Sequence, residues 1–235
     1  MNNTEENLKN WQSSLLRNLP VGGLHSRSNV AYKWKTPFRC WVLREVTFWR
    51  ITDLLTQSHS LFVNGYLLGA RILLRSSIET LAILIYLNDR TNSVLRNELD
   101  FHQYSDETTT LLLGSRDGTT NYSSKNILTV LDKCEIRYPG LRRIYSILSE
   151  SAHPNYEGMI CGYTKISLED DEVNFKNNWK NMHGHSHLEW MDACMEIFHN
   201  EYDKVWPELI EKLEAWIATN DSYLEQTILR EKPTP

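Results

Sequence analysis

Two arginines and a glutamate recur every four residues in the most apolar stretch of the sequence. They are Arg71, Arg75 and Glu79. Because residues four apart lie on the same face of an α-helix, the three side chains form one polar stripe on an otherwise apolar helix. Arginine before acid is the less favourable order for a pair within one helix, so a local ion pair explains the stripe poorly. Two interpretations remain open: the stripe bonds polar groups of neighbouring helices, or it lines a cleft.

A second candidate group lies in residues 145–154, which read Tyr-Ser-Ile-Leu-Ser-Glu-Ser-Ala-His-Pro. His153 falls at the predicted end of a helix, because the residue before a proline disfavours the helical conformation. The helix dipole stabilises a protonated imidazole there, and the ordinary pKa of histidine allows proton transfer near neutral pH. His153 can therefore act in acid–base chemistry, or it can cap the last carbonyls of its helix.

Three alternating histidines, His183, His185 and His187, form the third group. In an extended strand they would share one face and could bind a metal ion, but residues two apart on a helix do not face each other. The run falls at the predicted start of the last helix, so we expect a solvated, capping cluster and assign no metal ligand and no cofactor. A metal-dependent hydrolase that uses these histidines is the weakest alternative. The phosphate-loop, dinucleotide-binding, zinc-protease and serine-hydrolase motifs are missing from the sequence.

The segments around the first two groups resemble a group of bacterial helical proteins and, more distantly, the HEPN superfamily. The resemblance rests on an R-x-x-x-E pattern within Gly-Ala-Arg-Ile-Leu-Leu-Arg-Ser-Ser-Ile-Glu-Thr-Leu at 69–81, followed by Y-x-x-L-S-x-x-x-H-P at 145–154. It covers about residues 40–220. HEPN domains are α-helical bundles, often homodimeric, and many are metal-independent ribonucleases of toxin–antitoxin and antiphage systems. Their usual signature has an arginine four to six residues before the histidine, whereas here the nearest upstream arginine to His153 is Arg143.

The resemblance implies a role for each candidate residue. His153 would deprotonate a ribose 2′-hydroxyl or protonate the leaving oxygen. Arg75, together with Arg71, would stabilise charge on the phosphate, Glu79 would orient an arginine, and Tyr145 would hydrogen-bond the same phosphate.

The expected function is therefore that of an RNA-directed protein, a metal-independent ribonuclease that acts as a toxin or antiphage defence effector. The expected partners are RNA, a second copy in a homodimer and a regulatory or antitoxin protein. The alternative is a non-catalytic helical module for binding or dimerisation that regulates a partner.

The distribution of charge adds a candidate nucleic-acid surface. A formal net charge of −5 at pH 7 argues against a protein that coats nucleic acid with its whole surface. Residues 17–50, however, hold seven basic residues against one acid, interleaved with aromatic side chains, a mixture that single-stranded nucleic-acid sites use. Lys33, Lys35 and Arg39 in this segment, with Arg143, are the predicted contacts. The alternative is that the aromatic residues are core and the basic ones a solvated face.

The elements that must position these residues are predicted to be helices. Apolar spacing and breaker residues place helices at 4–18, 38–60, 66–89, 93–113, 123–135, 140–152 and 187–219, with a bend or break at Pro207 and Ser123 or Ser124 as a cap. A small hairpin is predicted near 159–176, around the acidic turn 169–172. The predicted fold class is an all-α antiparallel helical bundle with this hairpin. The predicted regions are an N-terminal helix and basic, aromatic arm (1–37), the bundle (38–220) and a tail (221–235).

The chain is expected to be a cytoplasmic protein with no membrane partner. Its first twenty residues lack the pattern of a secretory signal. The stretch 67–87 is about long enough to span a bilayer, but each of its three charges would cost roughly 2.5–3.5 kcal/mol at the membrane centre. It is therefore predicted to be a buried core helix.

Overall fold

The computed structural model describes residues 2–167 and 172–231 and is 79% helical. Its helices are α1 (Asn2–Ser14), α2 (Val21–Arg27), α3 (Lys35–Val63), α4 (Leu67–Leu95), α5 (Phe101–Leu113), α6 (Ile127–Arg137), α7 (Leu141–Ala152), α8 (Trp179–His199) and α9 (Trp206–Glu231). The strands β1 (Thr164–Ser167) and β2 (Glu172–Phe175) pair as an antiparallel hairpin. A 3₁₀ turn covers Ala31–Lys33, and π-helical segments cover Tyr156–Cys161 and Asn200–Val205. The predicted all-α fold with a small hairpin is confirmed.

Several predicted element boundaries are wrong. The arm predicted to be irregular contains α2, and the last part of the chain forms two helices, the first of which begins at Trp179 rather than at residue 187. The cap of α6 is neither predicted serine: the side chain of Asn126 accepts a hydrogen bond from the backbone N–H of Leu128. Residues 169–171 of the predicted acidic turn lie outside the described residues.

The predicted bend at Pro207 takes a different form. Pro207 is the second residue of α9, and a π-helical segment precedes that helix. Proline is tolerated in the first turn of a helix because the N–H that it lacks has no partner there. The tail predicted from residue 221 is helical as far as Glu231, where α9 ends.

The chain divides into two compact units, each assembled from separate stretches. Unit one consists of Met1–Leu15, Phe48–Ala82 and Leu131–Ile197, and unit two consists of Leu16–Thr47, Ile83–Val130 and Phe198–Pro235. Both α3 and α4 contribute to both units. The first two candidate groups and the histidine run all belong to unit one.

The helices of unit one bury the faces that their apolar spacing predicts. On α4, Leu74, Ile78 and Leu81 are almost fully buried, at helical spacing. On α7, the buried residues are Leu141, Tyr145, Leu148 and Ser151. None of the described helices is both long and apolar enough to cross a membrane.

A glycine closes α3 and turns the chain into α4. Gly65 has a φ of 83°, and the chain reversal is closed by hydrogen bonds from Gly65 N–H to the Phe62 carbonyl (3.0 Å) and from Tyr66 N–H to the Leu61 carbonyl (2.8 Å). This pattern is a Schellman motif, in which the left-handed residue favours glycine because a Cβ atom is strained there.

We therefore expect Gly65→Ala to lower the free energy of unfolding by about 1 kcal/mol, because the left-handed conformation penalises a side chain. Urea unfolding of the purified protein measures this. Gly22→Ala in α2 is the matched control: open space surrounds its Cβ position, so we expect no loss of stability. Equal effects of the two substitutions would contradict the assignment.

Candidate functional site

Arg75, Glu79 and Tyr145 meet on the surface of unit one between α4 and α7. The Arg75 Nε donates a hydrogen bond to Ser149 Oγ (2.9 Å), and its Nη2 donates one to the Tyr145 hydroxyl (2.5 Å). That hydroxyl donates in turn to Glu79 Oε1 (2.9 Å), which lies 3.2 Å from Arg75 Nη2. The structure thus brings together three of the five residues predicted to be catalytic.

The network holds the Arg75 guanidinium in one orientation without enclosing it. The side chain is 25% exposed, and its Nη1 has no hydrogen-bond partner among the described residues. Burial, followed by the nearby Glu79 carboxylate, raises the pKa of the Tyr145 hydroxyl, which therefore remains protonated and can donate at neutral pH. The guanidinium can bind an anion through the free nitrogen while the other two nitrogens stay fixed.

His153 directly follows the last residue of α7. Its backbone N–H donates to the Ser149 carbonyl (3.2 Å), so His153 follows Ser149 by one helical turn. The imidazole is exposed, and it has no hydrogen bond or ion pair within the described residues. The side chain is thus available for proton transfer and does not cap a carbonyl.

Arg71, the fifth predicted residue, occupies a different environment one turn earlier on α4. Its side chain is fully buried, its Nε donates to Ser151 Oγ (2.9 Å), and its guanidinium lies over the Trp190 ring at 5.4 Å. Burial lowers the Arg71 pKa to about 10, against the opposing effect of Glu157, so the group is still cationic at neutral pH. A macromolecular substrate cannot reach it in this structure.

Of the three clustered histidines, His187 is buried and His183 is partly buried, which corrects the expectation of a solvated cluster. Because α8 begins at Trp179, His183 and His187 lie four residues apart on its inner face, whereas His185 is 89% exposed in the side chain. His187 is fully buried, its Nε2 is 3.3 Å from Ser58 Oγ, and its ring stacks on that of Phe62. Sequence reasoning missed this pair because the predicted helix began eight residues too late.

The surroundings of these histidines include one carboxylate. Glu157 Oε1 accepts a hydrogen bond from Ser151 Oγ (2.9 Å) and lies 3.2 Å from His183 Nε2, although that contact lacks hydrogen-bond geometry. Within residues 2–167 and 172–231, no three His, Cys, Asp or Glu side chains form a group that could hold a metal ion.

The predicted nucleic-acid contacts do not form one set. Lys33, in unit two, lies 2.7 Å from both Asp221 and Glu225, so two carboxylates neutralise its charge. Arg39, also in unit two, donates to the carbonyl and hydroxyl of Ser105. Lys35 and Arg143 are exposed and have no such partner among the described residues, but they belong to different units.

Trp41, one aromatic residue of the basic segment, packs among the side chains of unit two. The Arg44 guanidinium lies 3.4 Å from the centre of the Tyr202 ring and 4.6 Å from that of Trp206, and it pairs with Glu45 at 2.5 Å. Trp41 packs edge-on against Trp206 at 4.4 Å. Trp41 is therefore not free to stack on bases, whereas Tyr32, Phe38 and Trp49 of the same segment are exposed, so the alternative that these aromatic residues are core holds for only part of the segment.

Comparisons with known proteins give no independent assignment: no protein-family model, no curated protein and no solved structure matches this chain.

The buried His187 predicts a pH-dependent stability. Burial, then the charges of Arg71 and His59, lower the pKa of His187 to about 4 in the folded protein, whereas an unfolded histidine titrates near 6.5. Between these values the unfolded chain binds more protons, so stability is complete above about pH 6.5 and falls by about 3 kcal/mol as the pH decreases to about 4.

We expect His187→Gln to weaken the dependence of the free energy of unfolding on pH between pH 4.5 and 6.5. The change in slope should correspond to at most one proton bound on unfolding, measured by urea unfolding at several pH values. His185→Gln is the control, because its exposed ring should leave the slope unchanged. If His187→Gln kept the full slope of the parent protein, another group would be responsible.

Proposed function

We propose that this protein is an RNA-directed, metal-independent ribonuclease whose catalytic residues are Arg75 and His153. The observation that supports the proposal best is the position of Arg75. The HEPN signature has an arginine four to six residues before the histidine. Ser149 occupies the position four residues before His153, and the guanidinium of Arg75 from α4 is bonded to its hydroxyl. A second helix thus supplies the cation that α7 lacks at this position.

The chemistry follows from the properties of the two groups. A neutral His153 imidazole takes the proton of a ribose 2′-hydroxyl, the 2′-oxygen forms a bond to phosphorus, and the bond from phosphorus to the 5′-oxygen breaks. A proton from a general acid completes the leaving hydroxyl. The Nη1 of Arg75 faces the negative charge that develops on the phosphate, while Ser149, Tyr145 and Glu79 hold its other nitrogens. The products are a 2′,3′-cyclic phosphate and a 5′-hydroxyl.

A labelled single-stranded RNA, incubated with the purified protein in EDTA, tests this proposal. We expect cleavage by the wild-type protein, and losses of roughly 10²–10⁴-fold in His153→Gln and Arg75→Met, because one removes proton transfer and the other removes charge stabilisation. His185→Gln should cleave at the wild-type rate, since its ring is exposed on α8. An RNA with 2′-deoxyribose at the cleaved position should remain intact.

Undiminished cleavage by His153→Gln, with circular dichroism showing a folded protein, would refute the assignment of the general base. Cleavage that EDTA abolishes would refute metal independence. The absence of cleavage by the wild-type protein on any RNA would leave the second candidate function.

That second candidate is a non-catalytic module that dimerises or binds a regulatory protein, and a specific surface favours it. The hairpin and the preceding π-helical segment expose large apolar side chains: Phe175 is 81% exposed, Tyr156 is 73% exposed, and Met159, Ile160 and Val173 are also exposed. A cluster of exposed apolar residues is typical of protein interaction sites. Glu79 also neutralises part of the charge by which Arg75 would attract RNA.

If this surface joins two copies in a homodimer, Phe175→Glu should convert the dimer to a monomer in light scattering after size exclusion, because a buried carboxylate without a partner is costly. Val21→Glu is the matched control, since Val21 is exposed on α2 in unit two. A wild-type protein that is monomeric at high micromolar concentration, or a dimer unaffected by Phe175→Glu, would contradict this role for the hairpin.

A further inference from the structure

Arg71 is a buried cation without a counter-ion. Its side chain is fully buried, and its Nη1 and Nη2 have no hydrogen-bond partner in the described part of the chain. No carboxylate oxygen of the described residues lies within 4.0 Å of its nitrogens. Glu157, the carboxylate whose charge acts on it, bonds Ser151 instead. An uncompensated charge in a protein interior is costly, so the arrangement calls for an anion beside the two free nitrogens.

Three further buried nitrogens in unit one have no hydrogen-bond partner among the described residues. They are Trp179 Nε1, His183 Nε2 and His187 Nδ1. Contacts connect them to the arginine: the Trp179 and His183 rings lie 5.7 Å apart, and His183 and His187 share the face of α8 that continues to Trp190, the ring beneath the Arg71 guanidinium. Buried polar atoms are rarely left unbonded, and several in one place indicate a missing bonding partner.

The hydrogen bonds of Ser58 determine which ring nitrogen of His187 carries the proton. The Ser58 hydroxyl donates to the Ala70 carbonyl (2.8 Å), so its oxygen accepts from His187 Nε2 at 3.3 Å. Because Nε2 then carries the proton of the neutral ring, Nδ1 is left with a lone pair and can accept a hydrogen bond. The free groups near Arg71 are therefore mostly donors with one acceptor, which match an oxyanion that retains a proton, as hydrogen phosphate does at neutral pH.

We propose that unit one contains a buried binding site for a small oxyanion of the phosphate type, with the Arg71 guanidinium as its principal contact and Trp179 Nε1 and His187 Nδ1 beside it. The site is separate from the proposed catalytic pair, because Arg75 and His153 are accessible to solvent whereas Arg71 is fully buried. Glu157, whose side chain is 27% exposed, lies 3.2 Å from His183, which is 15% exposed. Because Arg71 is fully buried, the proposed ligand is a small free ion and not an RNA strand.

Thermal unfolding with inorganic phosphate tests the site, with chloride at the same ionic strength as the reference. A ligand at a hundred times its Kd should raise the wild-type Tm by about 5–10 °C relative to chloride. Arg71→Met, which has a similar length and no charge, should abolish the phosphate-dependent shift. Arg75→Met, one turn along the same helix, should retain the shift, because an exposed guanidinium beside the Glu79 carboxylate binds a small hydrated anion far more weakly than a buried one.

The outcomes separate this proposal from the proposed ribonuclease. A wild-type Tm that does not respond to phosphate would overturn the site, since ordered water would then account for the unbonded nitrogens. A shift lost in Arg75→Met and kept in Arg71→Met would also overturn it, and would place the phosphate at the accessible cluster. Loss of RNA cleavage in Arg75→Met with an intact phosphate shift would support two separate sites.

A second experiment uses crystals of the wild-type protein, so it does not depend on whether a variant folds. Crystals of the wild-type protein soaked in tungstate, a tetrahedral oxyanion with strong anomalous scattering, should show the ion within hydrogen-bond distance of Arg71 Nη1 or Nη2. Tungstate found only on the surface of the protein would overturn the assignment.

His187→Phe, which removes the Nδ1 acceptor and keeps an aromatic ring against Phe62, should weaken phosphate binding about tenfold by calorimetry. Unchanged binding would remove His187 from the site.

Discussion

A row of hydrogen bonds between α4 and α7 sets the register of unit one. Arg71 bonds Ser151, Arg75 bonds Ser149 and Tyr145, and the Tyr145 hydroxyl reaches Glu79. The residue numbers increase along α4 as they decrease along α7, so the helices are antiparallel at this contact. A slip of one residue would take every one of these polar groups away from its partner and leave charges buried, which makes the register specific.

The same row contains two different electrostatic environments. At one end Arg75 is a quarter exposed and has a carboxylate 3.2 Å away, so it remains hydrated and locally compensated. At the other end Arg71 is fully buried and its terminal nitrogens are unbonded. One helical turn separates the two guanidinium groups. An accessible arginine beside an exposed histidine suits contact with a large substrate, whereas an enclosed arginine suits a small anion that can enter the interior.

Unit two uses its basic residues differently from the sequence expectation. Arg27 pairs with Glu214 at 2.7 Å, Lys33 pairs with two acids of α9, and Arg44 pairs with Glu45 among aromatic rings. Within the basic segment of residues 17–50, Arg27 and Lys33 thus pair with acids that are distant in the sequence, and Arg44 pairs with its neighbour Glu45. The electrostatic potential that attracts a nucleic-acid phosphate to residues 17–50 is therefore lower than their basic residues alone predict. Each of these ion pairs is close to neutral when seen from a Debye length away.

The sequence by itself determined the helices and the polar stripe. Apolar spacing predicts α4, the His153-Pro154 pair predicts the end of α7, and spacing by four places Arg71, Arg75 and Glu79 on one face; these features depend only on residues within one or two helical turns. The tertiary structure decided which arginine is accessible and that His183 and His187 face the interior. It also decided that Arg75 bonds Ser149, the residue four positions before His153. Burial and charge compensation depend on side chains that are far apart in the chain, such as Arg75 and Ser149, so no local pattern could have determined them.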